Sequence, residues 1–263
     1  AVGVLGLLGA QEDTAAAQAA TRDRAEGRSK TVQAMKRNNG GFPAQPLLRA
    51  CALVVGWSLT LSVYCYGLFA PKFMGYDQPQ LSATFSAGAL TTIAAQVAFP
   101  KLVRTFGEHA TSCLGLLCLA SGMGLQTVVR HQPFHSGLYL LNRAGAGVAD
   151  TSTATLVARS SLDKDDRAKN LALIQSTRAA ARIFTPLVSG SLFSLSLNFA
   201  RCPGSLPFLA NAALALLAAP LPILLLRAEN RDKDRDAANF AIDPPEDEAP
   251  SDLYAPPGGG PRK

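Results

Sequence analysis

Six stretches of mainly apolar residues, each about as long as a lipid bilayer is thick, constrain this chain more than anything else in it. Crossing about 30 Å of hydrocarbon at about 1.5 Å per residue takes roughly 20 residues of helix. The stretches fall near 50–70, 81–100, 110–129, 137–158, 171–197 and 205–226. Breakers separate them: Pro71, Gly75 and Pro79; Gly107; Pro133 and Gly137; the segment from Asp163 to Asn170; Pro203 and Gly204. Connectors this short force successive helices to run antiparallel. A helix in a soluble fold keeps one polar face, yet 113–129 and 208–226 are apolar nearly all round. A helix satisfies its own backbone hydrogen bonds, so lipid can serve as its solvent. The expected fold class is therefore an all-α membrane protein, a six-helix transmembrane bundle over residues 49–227.

Composition supports this once the polar flanks are set aside. Of 263 residues 48% are hydrophobic and 17% charged, and the mean hydropathy of +0.14 is diluted by two polar stretches, 11–48 and 228–263. The first mixes Ala, Arg, Gln, Asn and Gly without sustained apolar periodicity, though its Ala-rich run near 14–20 could form a helix. The second ends in acidic and Pro/Gly-rich sequence from Asp243 to Pro261. Both are expected to be largely disordered and cytoplasmic. Residues 1–10 are apolar with no basic flank before them, and are expected to be the end of a truncated transmembrane helix.

A net charge of +6 raises the question of nucleic acid, but Lys and Arg form no stripe interleaved with aromatics. They gather instead at alternate connectors. Arg22, Arg24, Arg28, Lys30, Lys36, Arg37 and Arg49 precede the first stretch. Lys101 and Arg104 follow the second; Arg159, Lys164, Arg167 and Lys169 follow the fourth; Arg227, Arg231, Lys233 and Arg235 follow the sixth. Only Lys72, Arg130 and Arg201 fall on the opposite side. The basic side is expected to be cytoplasmic, with both flanks on it.

Charged side chains inside the apolar stretches are the candidates for chemistry. An ionisable group in hydrocarbon costs on the order of 2.5 to 3.5 kcal/mol on insertion scales, so it faces protein or water and takes a partner. Arg143, Asp150, Arg178 and Arg182 qualify. Asp150 lies about 8 residues from the inner end of the fourth stretch, roughly 12 Å deep, and Arg178 about 7 residues into the fifth, roughly 10 Å deep. Asp150 is expected to pair with Arg178 or Arg182 as a structural or gating pair. Arg143 stands two helical turns from Asp150 on the same face, where it would contact an anionic substrate or steer a proton relay. A carboxylate in a low-dielectric cavity can load and release a proton during a transport cycle. Asn142, Tyr64, Tyr66 and Gln96 are expected as further polar contacts to the substrate, and Trp57 as a stacking surface. Gly145 and Gly147 would let helices approach closely, and Pro186 would bend the fifth.

Other chemistries find no support. Cys51, Cys65, Cys113, Cys118 and Cys202 form no CxxC or Cys/His cluster, and His109, His131 and His135 fall in expected loops without metal-ligand spacing. No nucleophile elbow, phosphate-binding loop or HExxH motif occurs, and Gly145-Ala-Gly147 lacks a third glycine and sits within an apolar stretch. No enzyme activity, metal or cofactor is expected.

Four patterns in order resemble the carboxy-terminal six-helix half of the major facilitator superfamily, especially its drug:proton antiporter and tetracycline-efflux branches. Phe99-Pro-Lys-Leu-Val-Arg-Thr-Phe-Gly107-Glu-His is similar to that family's basic loop between its eighth and ninth helices, and Asp163-Lys-Asp-Asp-Arg167-Ala-Lys to the loop after its tenth. Asn142-Arg143-Ala-Gly145-Ala-Gly147 resembles the small-residue tenth helix. Gln175 to Gly190, with Arg182 and Pro186, resembles the eleventh, although Thr185 replaces the usual Gly and Arg178 stands where small residues are common. The resemblance implies two three-helix repeats, a substrate cavity against a missing amino-terminal half, and alternating access without ATP. Its functional implication is proton-coupled efflux of small organic compounds across a bilayer. A receptor or scaffold that no longer transports is the alternative, and a six-helix channel a third.

Overall fold

The computed structural model describes residues 44–161, 164–199 and 202–242. The expected helix end at 1–10, the stretch 11–43 and the tail beyond 242 lie outside the described residues. Among those described there are seven helices and no strand: α1 (Ala44–Met74), α2 (Gln78–Phe106), α3 (Glu108–Gln126), α4 (Gln132–Ser160), α5 (Lys164–Ser196), α6 (Leu206–Ala218) and α7 (Leu221–Ile242).

The helices run longer than the apolar stretches because local chemistry starts and stops them elsewhere. Asp77 caps α2: its carboxylate accepts from the Gln80 N–H at 2.9 Å, while the Gln80 side chain accepts from the Asp77 N–H at 3.4 Å. Pro79 sits in that first turn, where a missing N–H costs nothing. Pro71, expected in a connector, lies inside α1. The basic loop expected over 99–109 shrinks to Gly107, whose φ of +81° is open to glycine and strained for other residues. Lys101 and Arg104 therefore ride on the last turns of α2, and His109 belongs to α3 rather than to a loop. His135 likewise lies in α4. The expected loop from Asp163 to Asn170 is helical from Lys164, with Asp165 and Asp166 facing the positive end of the α5 dipole.

The sixth apolar stretch is divided at Ala219 and Pro220, where proline lacks the N–H that would continue the helix. Helix α7 then continues to Ile242, past the boundary expected at residue 227, and α1 begins at Ala44, within the expected loop. By length and composition three stretches can cross a membrane: Gln45–Met74, Gln78–Phe106 and Leu206–Arg231. The expected six is thus reduced to three on that criterion, because α3 is 19 residues long with Glu108, His109 and Gln126 at its ends, and α4 and α5 carry the polar and charged residues named above.

Helix α4 is the hub, packing on α3, α2, α1 and α5; α1 packs on α5 and α6, and α3 on α6. Close approach comes from small residues. A Cβ at Gly145 would stand 2.5 Å from the Leu119 nitrogen and 2.6 Å from the Gly115 carbonyl oxygen, so the α3 and α4 backbones touch there. Gly147 does the same toward α2, with 2.8 Å to the Thr92 oxygen. The main core joins Tyr66, Phe69, Leu119, Met123, Tyr139 and Phe208.

The interior is mainly apolar but encloses polar side chains, and the surface is apolar as well. Arg178, Asn142, Asn211, Ser58 and Gln126 are all at most 3% exposed, while Val97 and Leu217 are 75% and 72% exposed. Ser58 Oγ donates to Asn211 Oδ1 at 2.8 Å between α1 and α6. A surface of Leu, Val and Ile around a partly polar interior is what hydrocarbon solvent selects.

Candidate functional site

The site begins with a glycine. Gly56 on α1 has no side chain, and a Cβ there would meet the Cα and Cβ of Arg178 at 3.1 Å. The α1 backbone therefore lies against the root of Arg178 and fixes the rotation of α5. The guanidinium is directed at α4, where Nη2 stands 2.8 Å from Asp150 Oδ1 and donates to the carbonyl of the same residue at 3.1 Å. The Arg178 side chain is 4% exposed and that of Asp150 is 26% exposed. A buried guanidinium cannot shed its proton, so the carboxylate is its compensation. The carboxylate itself keeps one edge open. Arg182, one turn further along α5, is exposed, and among the described residues it forms no ion pair with Asp150.

Arg143 occupies the same face of α4, two turns away. It is half-buried where α1, α2 and α4 meet: Nη1 donates to the Leu59 carbonyl at 3.4 Å, and the Thr92 hydroxyl donates to the Arg143 carbonyl at 3.3 Å. Gly88 on α2 makes room for it, since a Cβ there would come within 3.2 Å of Arg143 Cγ and 2.6 Å of the Tyr139 ring. Among the described residues Arg143 has no carboxylate partner, and its buried Nε meets no acceptor.

The remaining expected contacts separate. Tyr66 is buried, in ring contact with Tyr76, Phe85, His135 and Tyr139, and its hydroxyl lies 3.4 Å from Ser136 Oγ. It packs the core and does not join Arg143 and Asp150. Asn142 is also buried and turned to α3, where a Cβ on Gly122 would be 2.8 Å from both its N and Cβ; it too leaves the site. Tyr64 stays partly exposed, with its hydroxyl near Gly190 of α5, and Gln96 is exposed on α2. Trp57 is half-buried and packs against the main core.

Some polar residues that the sequence left without a role are firmly placed. His135 is buried, stacked on Phe69 at 5.3 Å and 9° between planes. His109 Nδ1 lies 2.9 Å from the Pro222 carbonyl oxygen, which fastens α3 to the start of α7. Glu108 and Arg159 meet at 2.6 Å across the ends of α3 and α4. Their signal would have been helical phase: His135 lies one turn before Tyr139, and its face follows once the helix is known to start at Gln132.

A family model described as Major Facilitator Superfamily matches residues 50–257. No curated protein matches the chain.

Proposed function

As a chain that belongs to the major facilitator superfamily, this protein is a membrane transporter for small molecules, and we propose that it is a secondary active one working by alternating access. Proton-coupled efflux of organic compounds is the form we favour. In this reading six helical crossings, the last made of α6 and the start of α7, form two three-helix repeats. The packing supports it: exchanging the first three helices with the last three turns the α1–α5 contact into α4–α2, and α3–α4 into α6–α1, and all four occur. The substrate cavity lies between this unit and an amino-terminal half, which precedes the central stretch 11–48. Arg143, Asp150, Tyr64 and Gln96 face it.

One observation carries the proposal: the Asp150–Arg178 pair is buried on its cationic side and open on its anionic side. A pair sealed from solvent on both sides would serve packing alone, whereas an open carboxylate edge can exchange its cation for a proton as access alternates. Helices α4 and α5 would then be clamped in one state and released in the other.

The test is flux by the full-length protein in lipid vesicles under an imposed pH gradient. Uphill movement of solute coupled to proton entry is expected, and Asp150→Asn should keep solute binding but lose the response to pH. Unchanged pH dependence in Asp150→Asn would end the coupling role. Absence of uphill flux in the unaltered protein would leave the receptor or scaffold reading.

A further inference from the structure

Resting on the transporter reading above, we infer that Arg143 is an anion-binding element of the transport site, so that the solute carried bears a compact anionic group such as a carboxylate or sulfonate. The charges on α4 and α5 that fall within the apolar stretches are Arg143, Asp150, Arg178 and Arg182. Asp150 is taken by Arg178 at 2.8 Å, and Arg182 lies on an exposed face. Arg143 is left as a permanent cation whose five N–H donors find, among the described residues, one acceptor at 3.4 Å. A guanidinium in hydrocarbon persists only against compensation, and no carboxylate among the described residues supplies it.

The surroundings hold this cation ready. Gly88 leaves space for its stem, the Leu59 carbonyl accepts from Nη1, and Nε is buried without an acceptor, so the half-buried side chain offers its Nη end to an incoming group. Two parallel N–H donors match a carboxylate or sulfonate better than they match a point acceptor. Asp150, on the same face, does not repel an incoming anion because Arg178 offsets its charge. Depth decides where the anion comes from. Arg143 lies about 16 Å along α4 from its start at Gln132, beyond the reach of lipid headgroups, so the anion must enter as solute.

The test uses the full-length protein in vesicles of phosphatidylcholine, which carries no net charge, and three monosubstituted benzenes of similar size: benzenesulfonate, neutral benzenesulfonamide and cationic benzamidine. Binding and flux are both measured. Benzenesulfonate should bind and move about tenfold better than either of the others, Arg143→Gln should erase that preference, and Arg143→Lys should keep part of it, because charge survives without the fork. Equal handling of the three probes overturns the inference, as does benzenesulfonate binding that survives Arg143→Gln in protein shown to be monodisperse. If Arg143→Gln does not fold, the Lys variant decides, and full preference in it removes the fork from the account. Arg143-dependent binding without flux supports the anion site and overturns the transporter reading. Flux without anion preference does the reverse.

Discussion

Asp150→Arg alone is expected to cost about 3–5 kcal/mol, a large share of the roughly 5–15 kcal/mol that holds an ordinary domain folded, because it leaves the Arg178 guanidinium buried without a counter-ion and adds a second cation beside it. The Arg178 side chain is 4% exposed, so water does little to screen the lost partner, and arginine cannot escape by deprotonating. Arg178→Asp should be as damaging, with two carboxylates then facing each other where α4 meets α5. The double variant Asp150→Arg/Arg178→Asp restores opposite charges across the same gap and should regain much of the lost thermal stability and flux. Monodisperse yield and Tm in detergent read the first, vesicle flux the second. A double variant no better than the worse single one would remove the pair from the account.

Gly145→Leu should be nearly as severe. The Cβ alone would stand 2.5 Å from the Leu119 nitrogen and 2.9 Å from Cys118 Cβ, so α3 and α4 must separate along their whole seam. Ordinary overpacking costs about 1–3 kcal/mol where side chains can shift. Here two of the three nearest atoms are backbone and cannot move aside, so the loss should exceed that range and appear as aggregated protein on size exclusion. Gly137→Leu is the control: nothing lies within 4 Å of its Cβ position, and helix α4 tolerates leucine there. Equal behaviour of the two variants would mean that the α3–α4 seam is looser than described.

How much of this was legible beforehand follows from what helical spacing encodes. Apolar length gave the helices, and residue counts from their expected ends set Asp150 and Arg178 at similar levels, although α5 starts at Lys164 rather than near 171. Depth is all that counting provides. Choosing between Arg178 and Arg182 requires the rotation of α5, and that is set by Gly56 on a helix more than a hundred residues away in sequence. The same gap misplaced Tyr66 and Asn142: both are polar and near the expected cavity in sequence, but each is turned a fraction of a turn into a core or a seam. The connectors are obscured for a different reason. Pro71, Pro79 and Pro133 mark breaks by composition, yet Pro71 is held inside α1 and proline is harmless in a first turn, whereas Gly75 and Gly107, both with positive φ, each follow the last residue of a helix. The split at Pro220 needed the opposite lesson, because it falls inside an apolar run that hydropathy reads as continuous.

A transporter of this architecture requires α1 to α6 to lie in lipid with the basic connectors on one side. The most direct measurement replaces the native cysteines, introduces one at Lys169 in the first turns of α5 or at His131 before α4, and labels intact cells with a membrane-impermeant maleimide. Both positions are exposed. Lys169→Cys should react only after permeabilisation and His131→Cys without it; equal labelling of the two from one side, or a protein that stays dissolved without detergent, would contradict the account.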